Sequence, residues 1–159
     1  MKTQNLSIHI IEDDLSFNKL TGLLLKSLGF SNIKSYYSGK TYMESNAYKD
    51  KPDIVLVDYH LDNNITGNQL LKAIKTNSKS SEVILMSSFF NESEIVPTDR
   101  FKPFAFLSKS DNFTPKLKNT LQKVQKHYEE RREQKNLQNG IVLFLIIEAS
   151  VIAYFISLF

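Results

Sequence analysis

The sequence predicts an α/β fold: a doubly wound five-stranded parallel sheet with helices on both faces, extended by a C-terminal hydrophobic helix. Three observations carry this reading. Ile54-Val55-Leu56-Val57 are consecutive aliphatic residues bounded by Pro52-Asp53 and Asp58. They are too few for a helix and too apolar for an exposed strand, so they mark the buried centre of a parallel sheet. Short apolar runs of this kind alternate with helical patterns from Leu6 to about residue 130. The last 19 residues, 141–159, carry a single charge, Glu148.

Taken in order, Leu6 to Ile11 reads as a first strand ending in Glu12-Asp13-Asp14, with Asp14 as the cap of a helix running to Leu28. That helix carries Leu15, Leu20, Leu23, Leu24, Leu25 and Leu28, and Gly29 is its stop. Ile33 to Tyr37 is a second strand. Ser38 opens a weaker helix to about Lys49, with Tyr42, Met43, Ala47 and Tyr48 as its apolar face. After the central strand, Gly67 begins a helix with Leu70, Leu71 and Ile74 inward. Val83 to Met86 is a fourth buried run, ending in Ser87-Ser88. A short helix over Asn91 to Arg100 is cut by Pro97. Phe104 to Leu107 is a fifth run, ending in Ser108-Lys109-Ser110. Pro115 suits the first turn of a last helix, whose face is Leu117, Leu121 and Val124. His9 and His127 are expected to be structural or solvated.

Charge is uneven. Residues 1–115 hold 13 Lys/Arg and 13 Asp/Glu, whereas residues 116–140 hold 7 against 3. The net +3 therefore comes from one late segment. No cysteine occurs, so disulfides and thiolate metal sites are excluded. Nothing at the start reads as a secretory leader.

In open α/β sheets the carboxyl ends of the strands face the ligand crevice. Here those ends carry Glu12-Asp13, Asp58, Ser87 and Lys109. Asp58 alone suits a metal ligand, a nucleophile toward phosphorus or a strand cap. With the other strand ends beside it, the set suits a hard divalent cation and a phosphoryl group. Oxygen donors hold Mg2+, a carboxylate attacks phosphorus, and Lys109 and Ser87 pair with phosphoryl oxygens.

These residues resemble the receiver domain of two-component response regulators. The resemblance rests on Ile-His-Ile-Ile-Glu-Asp-Asp at 8–14, Leu-Leu-Lys-Ser-Leu-Gly-Phe at 24–30, Pro-Asp-Ile-Val-Leu-Val-Asp at 52–58, Gly67 with Leu70-Leu71, Val-Ile-Leu-Met-Ser at 83–87 and Phe-Leu-Ser-Lys at 106–109. It implies a flavodoxin-like receiver fold with Asp58 as phosphoacceptor. Glu12, Asp13, Asp58 and the His60 backbone carbonyl would hold Mg2+, and Lys109 would be the family's lysine. Ser87 and Phe106 would be the switch pair.

The resemblance further implies a histidine kinase or phosphotransfer protein as donor, and a protein target on the face of the fourth helix, fifth strand and fifth helix. The domain would not be an enzyme beyond its own phosphotransfer and dephosphorylation. Departures are Asp62 where a proline is usual, Gly67 one residue late, and Ser110 in place of proline after Lys109. Phe89, two after Ser87, implies slow hydrolysis of the phosphorylated form. The alternative is a phosphorylation-independent pseudo-receiver acting as a protein-interaction module. A phosphatase with an aspartate nucleophile is disfavoured, because neither acidic stretch has the Asp-x-Asp pattern.

As a helix the tail would reach about 28 Å, close to the roughly 30 Å hydrocarbon core. It is apolar on every side, and Arg131, Arg132 and Lys135 precede it. The expected organisation is a receiver domain over residues 1–130, a basic juxtamembrane segment over 131–140 and a transmembrane helix over 141–159. The receiver domain would be cytoplasmic and membrane lipid would be a partner; a purely cytoplasmic protein is the alternative. Nucleic acid is not expected as a partner, because Glu129, Glu130 and Glu133 interleave with the bases and no DNA-binding output module follows.

Overall fold

The structure is a computed structural model and describes residues 6–61, 65–88 and 101–157. Five strands, β1 (Ile8–Ile11), β2 (Ile33–Tyr36), β3 (Ile54–Asp58), β4 (Glu82–Ser87) and β5 (Ala105–Ser108), form one sheet in the order β2-β1-β3-β4-β5. Every pairing is parallel. The described helices are α1 (Leu15–Ser27), α2 (Gly39–Glu44), α3 (Gly67–Asn77) and α4 (Phe113–Ser157), with a 3-10 turn at Ala47–Asp50. This is the doubly wound, flavodoxin-like architecture expected, with its switch point between β1 and β3. The helix expected over 91–100, and the readings at Asp62 and Phe89, lie outside the described residues.

Register decides which side chains meet. Ile11 pairs with Val57 and Asp58 with Met86, so the residues closing β1 and β3 stand side by side at one edge. Successive side chains then alternate between faces. Ile11, Val55, Val57, Val83 and Leu85 share one core cluster with Tyr42, Ala47, Leu70, Leu71 and Ile74. Ile8, Ile10, Ile54, Leu56, Ile84 and Met86 are fully buried on the other side, as are Leu25 and Leu117. Strands covered on both faces need the near-continuous aliphatic runs the sequence contains.

Two helices differ from expectation. The inward face of α1 is Asn18, Thr21 and Leu25, whereas Leu15, Leu20 and Leu23 are more than half exposed. Leucines occur all round this helix, so their spacing cannot select a face. Asn18 does, because its amide donates to the carbonyls of Glu12 and Tyr36 at 3.0 and 3.1 Å, closing the ends of β1 and β2. The second helix stops at Glu44 rather than near Lys49. Asn46 enters the left-handed region at φ 54°, and the chain resumes as the 3-10 turn, which still buries Ala47. Asp14 caps α1 as expected, accepting from the N–H groups of Ser16 and Phe17 at 2.8 and 3.1 Å. Gly29, at φ 92°, ends it.

The chain divides into two compact units, Met1–Leu121 and Gln122–Phe159, and α4 is continuous through both. In the first unit, Phe113, Leu117 and Leu121 are buried. In the second, Ile141 to Ile147 are each more than half exposed. Helix α4 contains a stretch long and apolar enough to cross a membrane, with a window of mean hydropathy 1.7 and no buried residue.

His9 on β1 is 2 % exposed, packed against the rings of Tyr36 and Tyr42, with Nδ1 3.4 Å from the Tyr42 hydroxyl. Burial, and secondarily the charge of Lys34, pulls its pKa down from 6.5 to about 4. The unfolded chain therefore binds the proton more readily than the native one. The contribution is complete above pH 6.5 and is lost as pH falls toward 4, by about 3 kcal/mol over that interval. Urea melts at pH 7 and pH 4.5 check this: the stability difference between the two pH values should shrink by about 2 kcal/mol in His9→Leu.

Candidate functional site

The site forms at the carboxyl ends of β1, β3, β4 and β5, beside the switch point. Glu12 follows β1 immediately and is fully buried, its backbone held by Asn18 and by an N–H donated to the Tyr36 carbonyl at 3.1 Å. Asp58 is the last residue of β3 and is 5 % exposed. Glu12, Asp13 and Asp58 each offer a carboxylate oxygen within 4.8 Å of one another.

Lys109 enters from the end of β5. Its Nζ lies 2.9 Å from Asp58 Oδ2 and 2.7 Å from Glu12 Oε2. It also donates to Glu12 Oε1 at 2.8 Å. The backbone of Lys109 is fixed too, because its N–H donates to the Ser87 carbonyl at 2.8 Å and prolongs the ladder one residue past Ser108. The residue reaches the site although Ser110 follows it. Among the described residues no peptide is cis.

Burial pushes the Glu12 carboxyl up to about 7; the Lys109 hydrogen bond opposes that shift and the Asp58 charge adds to it. Three carboxylates are set against one ammonium, all drawn from strand ends and all hard donors or point charges. This donor set fits a divalent cation with oxygen ligands, and does not suit a soft metal.

Glu12, Asp13, Asp58, His60, Ser87, Phe106 and Lys109 are all among the described residues, and most of them meet. Ser87 closes β4, is 4 % exposed, and has its hydroxyl oxygen 3.5 Å from His60 Nδ1. His60 itself is exposed, and its N–H donates to Asp58 Oδ1 at 3.4 Å. Both Asp58 oxygens are therefore engaged, one by backbone and one by Lys109. Phe106 on β5 is partly buried and packs against the core cluster of α2 and α3.

Three residues escaped the sequence reading. The Lys109 ammonium sits over the Phe17 ring, 4.9 Å from its centroid, and that ring packs against Phe113 in a tilted arrangement with centroids 4.9 Å apart. Asn18 braces the acidic turn. Gly67 was read as a helix start and as part of the resemblance, without its close approach; a Cβ there would come within 2.9 Å of the Asp58 carbonyl oxygen and the Tyr59 Cα. Its N–H donates to the Tyr59 carbonyl, so α3 is pressed directly onto the backbone that presents Asp58. The available signal for Phe17 and Asn18 was position: both lie in the first helical turn after the strand-end acids.

Residues 8–122 match the family model of the response regulator receiver domain. Among solved structures, the chain is similar to the N-terminal domain of a response regulator/sensory box/GGDEF 3-domain protein from Carboxydothermus hydrogenoformans, at 21% identity and TM-score 0.68, covering 79% of this chain and 98% of that one. It is similar to the signal receiver domain of a modulated diguanylate cyclase from Desulfovibrio desulfuricans G20, at 20% and 0.67, covering 80% and 99%. The chemotaxis response regulator CheY4 of Vibrio cholerae gives 18% and 0.64, covering 75% and 98%. At such identities the structural likeness speaks for the fold alone. No curated relative matches the chain.

Removing the ammonium leaves two buried carboxylates facing each other. Lys109→Met should cost about 3 kcal/mol at pH 7, a loss that narrows as acidification protonates the pair. Asp58→Asn in the same chain should restore most of it, measured as denaturant midpoints of the single and double variants.

Proposed function

Because the chain belongs to the response regulator receiver domain family, whose members serve phosphorelay signalling, we propose that it accepts a phosphoryl group on Asp58 from a histidine kinase or phosphotransfer protein. The observation that carries this reading is the Lys109 ammonium 2.9 Å from Asp58 Oδ2, within a buried acidic cluster. Receiver domains typically bind Mg2+ through such a pocket. Here Glu12, Asp13, Asp58 and the His60 carbonyl would hold it, and when bound it supplies charge neutralisation on the transferring group.

The chain's own residues do the rest. An Asp58 carboxylate oxygen forms the new bond to phosphorus, and the P–N bond of the donor's phosphohistidine breaks with its electron pair returning to the imidazole nitrogen. Lys109 exchanges its contact with the Asp58 carboxylate for one with a phosphoryl oxygen, while its contact with Glu12 keeps it in place. The Ser87 hydroxyl leaves His60 and donates to a second phosphoryl oxygen. Phe106 fills the space vacated at the end of β4, and the surface around β5 is the part a protein target reads. Beyond its own phosphotransfer and dephosphorylation the domain catalyses nothing in this reading.

Beryllofluoride with Mg2+ should perturb the Ser87 and Phe106 resonances of the wild-type chain and leave those of Asp58→Asn unmoved. Equal responses in both would favour the pseudo-receiver reading, a domain that binds partners without phosphorylation. The lifetime of the phosphorylated form, compared with that of Phe89→Glu, checks the expected slow hydrolysis.

The second part of the proposal concerns location. Helix α4 runs through residues 141–157, where Ile141 to Ile147, Ile152, Tyr154 and Ile156 are each more than half exposed, and Arg131, Arg132 and Lys135 precede this apolar stretch. We read this as a single-pass membrane anchor over 141–159, with the receiver domain over 1–130 on the cytoplasmic side and the basic segment 131–140 against anionic lipid. Glu148 near the middle then faces a partner or is protonated. Carbonate extraction decides the matter: the full chain should remain in the membrane pellet, and a chain truncated at Gly140 should be released. A full chain that is itself released sinks the anchor and leaves the phosphoacceptor untouched.

A further inference from the structure

A second cleft lies at the opposite, amino-terminal edge of the sheet. Its volume is about 550 Å³, and it is lined by Lys72, Lys75, Thr76, Lys79, Phe101 and Lys102. The last turns of α3 supply Lys72, Lys75 and Thr76, the turn before β4 supplies Lys79, and the segment leading to β5 supplies Phe101 and Lys102. Four strand residues separate Glu82 at this edge from Ser87 at the other, so the cleft is roughly 16 Å from the phosphoacceptor. It is a separate site.

The concentration of charge here is unusual for this domain. Residues 1–115 are neutral in sum, yet four lysines gather around one concavity. Lys75 is committed: its Nζ lies 3.1 Å from Glu82 Oε2, with side chains 13 and 5 % exposed. Lys72, Lys79 and Lys102 are exposed, and among the described residues none has a carboxylate at ion-pair distance. Lys72 and Lys75 share one face of α3 at a spacing of three, while Lys79 joins them from beyond the end of the helix.

A helix-dipole role accounts for lysines in the last turn of α3, but not for Lys79 and Lys102, which lie outside the helix. Three exposed ammonium groups around a concavity of ligand size, with an aromatic ring in the lining, make a surface suited to an anion, and the Thr76 hydroxyl there already donates to the Lys72 carbonyl at 2.7 Å. Lysine as a compact point charge suits phosphate oxygens more than planar carboxylates.

We propose that this cleft binds a soluble compound carrying two or more linked phosphates. One isolated phosphate would engage too few of the lysines to hold against water and salt. Linked phosphates span them, and the Phe101 ring offers an apolar surface to whatever the phosphates carry. The phosphoacceptor chemistry does not depend on this site, so occupancy adds an input to the domain separate from Asp58.

The test uses the full chain in uncharged detergent, titrated with tripolyphosphate at constant ionic strength, with binding read from the backbone amides of Thr76 and Lys102. Wild type should bind saturably. Lys72→Gln combined with Lys102→Gln should weaken binding about tenfold or more, as expected for the loss of two charge-assisted contacts. The double variant should melt as the wild type does and accept phosphate from acetyl phosphate at the wild-type rate. Asp58→Asn should bind tripolyphosphate unchanged. Equal affinity in the lysine double variant, loss of binding in Asp58→Asn, or no saturable response would each overturn the proposal. Binding confined to vesicles containing phosphatidylserine, with none to tripolyphosphate, would overturn it too and assign the lysines to lipid headgroups.

Discussion

One ammonium group holds the functional edge of this protein together. Lys109 lies within 2.9 Å of carboxylates from two other strand ends, Glu12 after β1 and Asp58 closing β3. With burial this complete, either carboxylate alone would be costly, and the two together would repel strongly. The ammonium offsets both, and the pull of burial on Glu12 shows how much it has to offset. Strand order makes the arrangement attainable, since β1 and β3 are neighbours and β5 reaches over through β4. Residues 12, 58 and 109 meet because parallel winding brings every carboxyl end to the same side.

The sheet was legible in the sequence because its strands are buried on both faces. Ile54 to Val57 and Val83 to Met86 have no reading other than a central strand, and the run of strand-end polar residues follows from them. Asp58, Glu12, Asp13 and Lys109 were legible for the same reason. Amphipathic periodicity worked for α3, where Leu70, Leu71 and Ile74 all point inward, and failed for α1. There the inward residues are Asn18, Thr21 and Leu25, of which Asn18 is held by hydrogen bonds to the strand ends rather than by apolarity, while leucines occupy the surface. Periodicity of hydrophobicity carries no information about a face selected by polar bonds.

Other details were hidden because they depend on distances between elements. Nothing local in the sequence tells that Phe17 will lie under the Lys109 ammonium, or that Gly67 will press against the Asp58 carbonyl. The break between α2 and the 3-10 turn rests on one left-handed asparagine, a conformation Asn tolerates without announcing it. The lysine cleft likewise joins α3, the turn after it and the segment before β5, positions 72 to 102, which no linear window unites.

The backbone bond from the Lys109 N–H to the Ser87 carbonyl has a mechanical meaning. It ties the root of the ammonium-bearing residue to the residue that bears the hydroxyl. The two are joined by a single backbone hydrogen bond, as the two halves of a jaw share a hinge pin. The tips of β4 and β5 are thereby yoked, so a substitution that loosens one also frees the backbone of the other.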